Sequence, residues 1–227
     1  MSGTCRISFR LYLITDRRAV KSASLLDACE AALQVSADLA PPGSVALQLR
    51  EKDLDAREAY ALACRLREMT TRFGAPLLIN ERVDIAVASG ADGVHLPVAS
   101  IGASAARGLL GNDRLVGVST HSAADLVAAS GEGQADFAVF GPVYEPLSKG
   151  SYGAVQGSAA LFQACKAGSL PVFALGGITP ARVAELYANA QSVNLAGVAA
   201  IGSILGADSP RQATRAMLEA LKVAPSS

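Results

Sequence analysis

The chain has 227 residues, 51% of them hydrophobic and 5% aromatic, enough to bury the core of one large domain and too apolar for a disordered chain. Lys plus Arg and Asp plus Glu each number 20, so no overall field draws the chain to nucleic acid or an anionic membrane, and any anion site has to be local. The N-terminus has no charged region followed by a long apolar core, and no stretch reaches the roughly 18 apolar residues of a membrane span, which predicts a cytoplasmic protein with no membrane contact.

Short apolar runs recur along the chain, each with the composition of a strand buried on both faces. The first is "RLYLIT" (10–15), followed by "VALQL" (45–49). The segment "DAREAYALACRLREMTTRF" (55–73) repeats Tyr60, Ala63, Cys64, Leu66 and Arg67 at helical spacing, with Asp55 as N-cap. Next come "PLLIN" (76–80), "DGVHL" (92–96) and "RLVGVS" (114–119). "SAADLVAAS" (122–130) opens a helix on Ser122 with Asp125 at its third position, a variant capping box. After "DFAVFG" (136–141) and "PVFALGG" (171–177), "TPARVAELYANA" (179–190) starts on Thr179 with Pro180 in the first helical position. "SVNLAG" (192–197) is the eighth run. The four cysteines, Cys5, Cys29, Cys64 and Cys165, show no metal spacing and read as buried free thiols of a reducing cytosol.

Eight strand–helix alternations without a linker predict a (β/α)₈ TIM barrel, an α/β fold, slightly under its usual size of about 250 residues. The whole of 1–227 reads as one domain with its core at 10–223. A doubly wound open sheet would more often have five or six strands and a glycine fingerprint after the first, and "ITDRRA" is not one.

In such a barrel the chemistry sits at the carboxyl ends of the strands. The turns "ALGGIT" and "GVAAIGS" after runs seven and eight offer backbone N–H groups to a phosphate monoester, through Gly176, Gly177, Ile201, Gly202 and Ser203. On this reading a side chain at Gly177 would fill the anion's place. In "QLREK" the period of two turns Gln48, Arg50 and Lys52 to one side and Leu49 and Glu51 to the other, which suits a second anion or a polar ring. Asn80 ends run three, Ser119 ends run five, and Lys149 follows run six, where it can close over the same anions.

The blocks "QLREKD", "LINERVDIA", "GADGVHLP", "GVSTHS", "ADFAVFGPVYE" and "FALGGITP", with "GVAAIGSI" after them, stand in an order that resembles the thiamin phosphate synthase and thiazole tautomerase superfamily across residues 10–205. The resemblance implies a barrel of thiamin biosynthesis whose partner is a phosphorylated thiazole; self-association is left open. In the synthase branch it also implies a pyrimidine diphosphate and Mg²⁺, whereas the tautomerase branch implies no cofactor. The sequence departs from the synthase pattern. Glu81 and Ser100 stand where that branch has its two Mg²⁺-holding aspartates, so Glu81 is a metal ligand only if the synthase reading holds. Pro146 and Ser148 alter the hydroxyl pair of the diphosphate loop, and "HLPVAS" is similar to the tautomerase branch, while Lys52 and Asn80 are synthase-like. The expectation drawn from this mixture is a thiazole tautomerase, an isomerase, with weak or absent synthase activity. Its alternatives are the synthase itself, a transferase, or a noncatalytic relative that binds thiazole or thiamin phosphate. A phosphosugar isomerase on the same fold is a further one.

Only two histidines are present. At the end of run five, His121 is the expected acid–base residue of a tautomerase, because an imidazole changes charge near neutral pH. The resemblance places the tautomerase's histidine at this position. His95 reads as barrel packing.

Overall fold

A computed structural model describes residues 7–21, 24–146, 153–190 and 193–223. Lys149 and Ser148 lie outside the described residues, as does Cys5. Eight strands close into one parallel barrel in chain order, with β1 (Leu11–Ile14) pairing both β2 (Val45–Leu49) and β8 (Leu195–Ala200). Between these lie β3 (Leu77–Asn80), β4 (Gly93–Leu96), β5 (Leu115–Thr120), β6 (Phe137–Phe140) and β7 (Val172–Leu175). The strands are buried on both faces for most of their length because helices cover the outside and side chains fill the inside.

The helices are α1 (Leu25–Leu39), α2 (Ala56–Arg72), α3 (Val83–Ser89), α4 (Ala103–Leu110), α5 (Ala123–Glu132), α6 (Gly157–Ala167), α7 (Pro180–Asn189), the short α8 (Gly202–Leu205) and α9 (Pro210–Val223). Their starts are chemically specified. Ser24 with Asp27 and Asp55 with Glu58 form reciprocal capping boxes, and Thr179 accepts from the Arg182 N–H ahead of Pro180. Ser122 accepts from the Asp125 N–H, while the Asp125 carboxylate takes the N–H of His121 at 2.9 Å.

Inside the barrel, Phe9, Tyr12, Phe137 and Phe173 pack against one another with ring centroids 4.8–6.2 Å apart. Glycines in register with Phe137 and Phe173 on the neighbouring strands make room for those two rings. A β-carbon on Gly117 would stand 2.3 Å from Phe137 Cζ, and one on Gly197 2.6 Å from Phe173 Cε1. These rings fill the interior of the barrel below the carboxyl ends of the strands.

The eighth strand differs from the predicted run 192–197. It starts at Leu195 and continues through Ala200, because Ala199 and Ala200 pair with Leu175 and Leu13. Asn194 lies before the strand, where its side chain donates to the Gly168 carbonyl beyond α6 at 2.9 Å. Gly197 is therefore a strand residue beside Phe173, and the turn that follows begins at Ile201.

Candidate active site

The carboxyl ends of the strands converge on a cavity of about 500 Å³. Gln48, Arg50, Lys52, Asn80, Ser119 and His121 all line it, together with Gly176, Gly177, Ile201, Gly202 and Ser203. The period of two in "QLREK" has the expected effect. Glu51 and Asp53 face away and are held by the β1 loop: Glu51 accepts from the Arg17 N–H at 3.1 and 3.2 Å, and Asp53 takes both ends of the Arg17 guanidinium at 2.7 and 2.8 Å. Arg18 donates to Asp53 as well, at 2.6 Å. The Arg50 N–H meets the buried hydroxyl of Thr15 at 2.8 Å. Anions outside and cations inside thus share one extended segment, fixed in place by β1 and its loop.

The floor is polar and buried. Gln48 donates from Nε2 to Asn80 Oδ1 at 3.0 Å, and Gln48 Oε1 has no hydrogen-bond partner among the described residues. His95, 4% exposed, shares a hydrogen bond between Nε2 and Ser119 Oγ at 2.9 Å, with Nδ1 unpartnered among the described residues. Burial, and secondarily the charge of Arg50, push His95 down to about 3, so this imidazole stays neutral. The Tyr12 ring lies 5.8 Å from it and its hydroxyl is likewise buried without a partner among the described residues. A planar ring carrying donors and acceptors can satisfy such a floor.

His121 stands exposed at the end of β5, with Nδ1 2.5 Å from the Gly141 carbonyl oxygen. A carbonyl only accepts, so Nδ1 carries the proton of this contact. The contact ties the end of β5 to the segment leaving β6.

The turn after β7 is built on two left-handed glycines, Gly176 at φ 103° and Gly177 at φ 60°. A β-carbon on Gly176 would meet Pro142 at 2.6 Å, and one on Gly177 would meet the Glu145 carbonyl at 2.3 Å and Arg182 Nη1 at 2.7 Å. This corrects the sequence argument about Gly177. A side chain there would strike the back of the turn, where the β6 segment packs, and not the space for an anion. After β8, Ile201 precedes the single turn of α8, whose first N–H groups at Gly202 and Ser203 have no carbonyl to meet within the helix.

Glu81 departs from its expected place. It is exposed, has a left-handed backbone at φ 63°, and is outside the set of residues that line the cavity. Every Asp and Glu of the chain is among the described residues, and these contain no group of three His, Cys, Asp or Glu side chains that could hold a metal ion. Ser100, the other position implied for the metal, offers a neutral hydroxyl, buried and without a partner among the described residues. Hard dications prefer carboxylate oxygens. This donor set does not fit a protein-held Mg²⁺.

A closed barrel whose cavity is lined by uncharged glycine turns after β7 and β8 and by two cations after β2 is chemically suited to small anionic molecules. The comparisons narrow that class. The sequence profile of the family described as thiamine monophosphate synthase matches residues 11–204. A putative thiamine-phosphate synthase of Geobacter sulfurreducens is 47% identical over 216 residues, which cover 95% of this chain and 96% of that one. The thiamine-phosphate synthase of Roseiflexus castenholzii is 37% identical over 209 residues, 92% of this chain and 86% of the relative. Among solved structures, a thiamine phosphate pyrophosphorylase from Pyrococcus furiosus superposes with a TM-score of 0.79 at 27% identity, covering 96% of this chain and 98% of that one. The chain belongs to the thiamine monophosphate synthase family.

These findings overturn the expected tautomerase. The relatives carry the synthase name, a transferase and not an isomerase, and none of these comparisons points to thiazole tautomerisation. The physical misjudgement lay in weighting "HLPVAS" above Lys52 and Asn80. Lys52 and Asn80 both line the cavity beside His95, Pro97 and Val98 of that segment, and Asn80 is bonded to Gln48 on its floor. The phosphosugar alternative falls with the family assignment. Sequence reasoning also missed His95 as a lining residue, along with Gln156, Pro142 and Val139. His95 ends in the same alternation that places Asn80 inward, and the pairing of Asn80 with His95 across β3 and β4 would have been the signal.

Proposed function

We propose that this chain is a thiamine-phosphate synthase, joining hydroxymethylpyrimidine diphosphate to thiazole phosphate. The observation that supports this reading is that one cavity is lined both by two cations, Arg50 and Lys52, and by the glycine turns after β7 and β8, together with the polar side chains of Gln48, Asn80, His95 and Ser119. Arg50 and Lys52 suit a diphosphate, where charge grows as it leaves. The N–H groups around Gly177, Gly202 and Ser203 suit the thiazole's phosphate monoester, which stays unchanged through the reaction. Gln48, Asn80 and the neutral pair of His95 and Ser119 suit the pyrimidine ring.

The bond changes agree with this set. The thiazole nitrogen donates its lone pair to the methylene carbon, the carbon–oxygen bond to diphosphate breaks, and the electron pair leaves on oxygen. The nitrogen becomes cationic and no proton is released at that step. This step calls for no proton transfer by His121, whose Nδ1 donates to the Gly141 carbonyl and ties the end of β5 to the segment leaving β6. Charge on the departing diphosphate is assigned to Arg50 and Lys52, the two cations that line the cavity among the described residues. The free thiols of Cys29, Cys64 and Cys165 support a cytoplasmic setting.

The test is formation of thiamine phosphate from the two phosphorylated halves by the purified protein, with diphosphate released one for one. Arg50→Met should lower kcat by about a hundred-fold, since a fixed charge at a leaving group is worth that scale. Absence of product with both halves present would refute the reading.

A further inference from the structure

The back of the Gly176–Gly177 turn rests on the segment that leaves β6. There the Val143 N–H donates to the Leu175 carbonyl at 2.7 Å and the Tyr144 N–H to the Gly176 carbonyl at 3.1 Å, so the segment continues the β6–β7 ladder past the sheet. The N–H groups of Gln156 and Gly157 return to the carbonyls of Pro142 and Val143 at 2.8 and 3.1 Å. Over this junction lies Arg182, in the first turn of α7. Its Nη1 donates to the Gly177 carbonyl at 2.5 Å, and its guanidinium carbon stands 4.4 Å from the centre of the Tyr144 ring. Arg182 itself does not line the cavity, but Gly177 and Ile178 do.

A trans peptide points its N–H opposite to its C=O. Holding the Gly177 carbonyl on Arg182 therefore aims the Ile178 N–H the other way, and a charged donor on that carbonyl also polarises the peptide and strengthens its N–H. The ring of Tyr144 fixes the plane of the guanidinium from the other side.

We infer that Arg182 is a positioning residue for phosphate binding: it locks the peptide between Gly177 and Ile178 and ties that turn, through Tyr144, to the segment leaving β6. The inference rests on the reading of the glycine turns as the thiazole phosphate's site. It adds a contact behind the site that sets how well backbone donors alone can hold a dianion.

Isothermal titration of the whole protein with thiazole phosphate, and separately with inorganic pyrophosphate, tests it. Arg182→Met should weaken thiazole phosphate at least about tenfold, the scale of a lost charge-assisted hydrogen bond, and leave pyrophosphate affinity unchanged. Arg182→Lys, which keeps a donor but not the plane, should fall between parent and Arg182→Met. In turnover, the KM for thiazole phosphate should rise with kcat held within about threefold, because uniform binding is lost. Equal thiazole phosphate affinity in parent and Arg182→Met would overturn the inference, as would equal weakening of both ligands in a folded variant. Should Arg182→Met not fold, Tyr144→Leu takes its place; it removes the ring, should weaken thiazole phosphate several-fold, and overturns the inference if it does not. A parent that binds no thiazole phosphate would bring down the synthase reading and this inference together. A parent that binds it while Arg182→Met binds it equally sinks the inference alone.

Discussion

His95 shows how one buried side chain can pack the barrel, as its sequence suggests, and also line a cavity. Packing was the expected role, and the ring does pack against Tyr12 and Phe137, yet it also forms part of the cavity floor. The fold depresses its pKa from 6.5 to about 3, through burial first and Arg50 second. Between those values the unfolded chain takes up a proton that the folded chain refuses. Stability from this group is therefore complete above the unfolded value and is lost as pH falls below it, by about 2 kcal/mol between pH 7 and pH 5. Urea unfolding at the two pH values should show this loss in the parent and a flatter response in His95→Gln, which starts from a lower stability. Identical pH dependence would mean that His95 is not held neutral. The period of two made Gln48, Arg50 and Lys52 legible as a set, and helix-start chemistry made Thr179 and Pro180 legible. Arg182 was not legible, because its partners are a carbonyl and a ring from other segments, and no local pattern encodes a tertiary contact.

At the scale of elements, the strands were visible as apolar runs because parallel strands buried on both faces need little else. Where the reading slipped, at β8, a glycine was taken as a turn signal although it serves a ring inside the barrel. Gly117 on β5 has the same role, and it permits a direct test. Its missing β-carbon is replaced by Phe137, whose ring is confined by Phe9, Tyr12 and Phe173 and cannot turn aside. Gly117→Ala should cost about 1–3 kcal/mol by overpacking. Phe137→Leu should also destabilise, by opening space. The double variant should lose clearly less than the sum, since each change relieves the other. Strict additivity in chemical denaturation would show that the two positions do not share this space. The turn after β8 was legible in chemistry though not in its exact start, because glycine followed by a short helix marks a backbone-donor site even when the preceding strand is misplaced by three residues.

For the whole molecule, zero net charge and a cavity lined by two cations have to be reconciled. The barrel does this by separating charge across one strand end: Arg50 and Lys52 enter the cavity, while Glu51 and Asp53 are turned outward onto Arg17. The cations act over a few ångströms in a partly enclosed space, and beyond about 8–10 Å, the screening length near physiological salt, the protein offers anions little attraction. Composition gave no overall field to draw nucleic acid but could not place this local field, which depends on closure bringing strand ends from β2, β3 and β5 to one mouth. The consequence is a sharp contrast between ligands. Inorganic pyrophosphate should bind the free protein measurably by calorimetry, and Lys52→Met should weaken it about tenfold by removing one nearby charge. A long polyanion such as duplex DNA cannot enter the cavity and meets a surface with no net charge, so it should show no binding to either form near physiological salt. Pyrophosphate affinity unaffected by Lys52→Met would mean that the diphosphate is held elsewhere. Binding of DNA that persists at that salt would mean that the cationic end of β2 is open to the surface and not confined to the cavity.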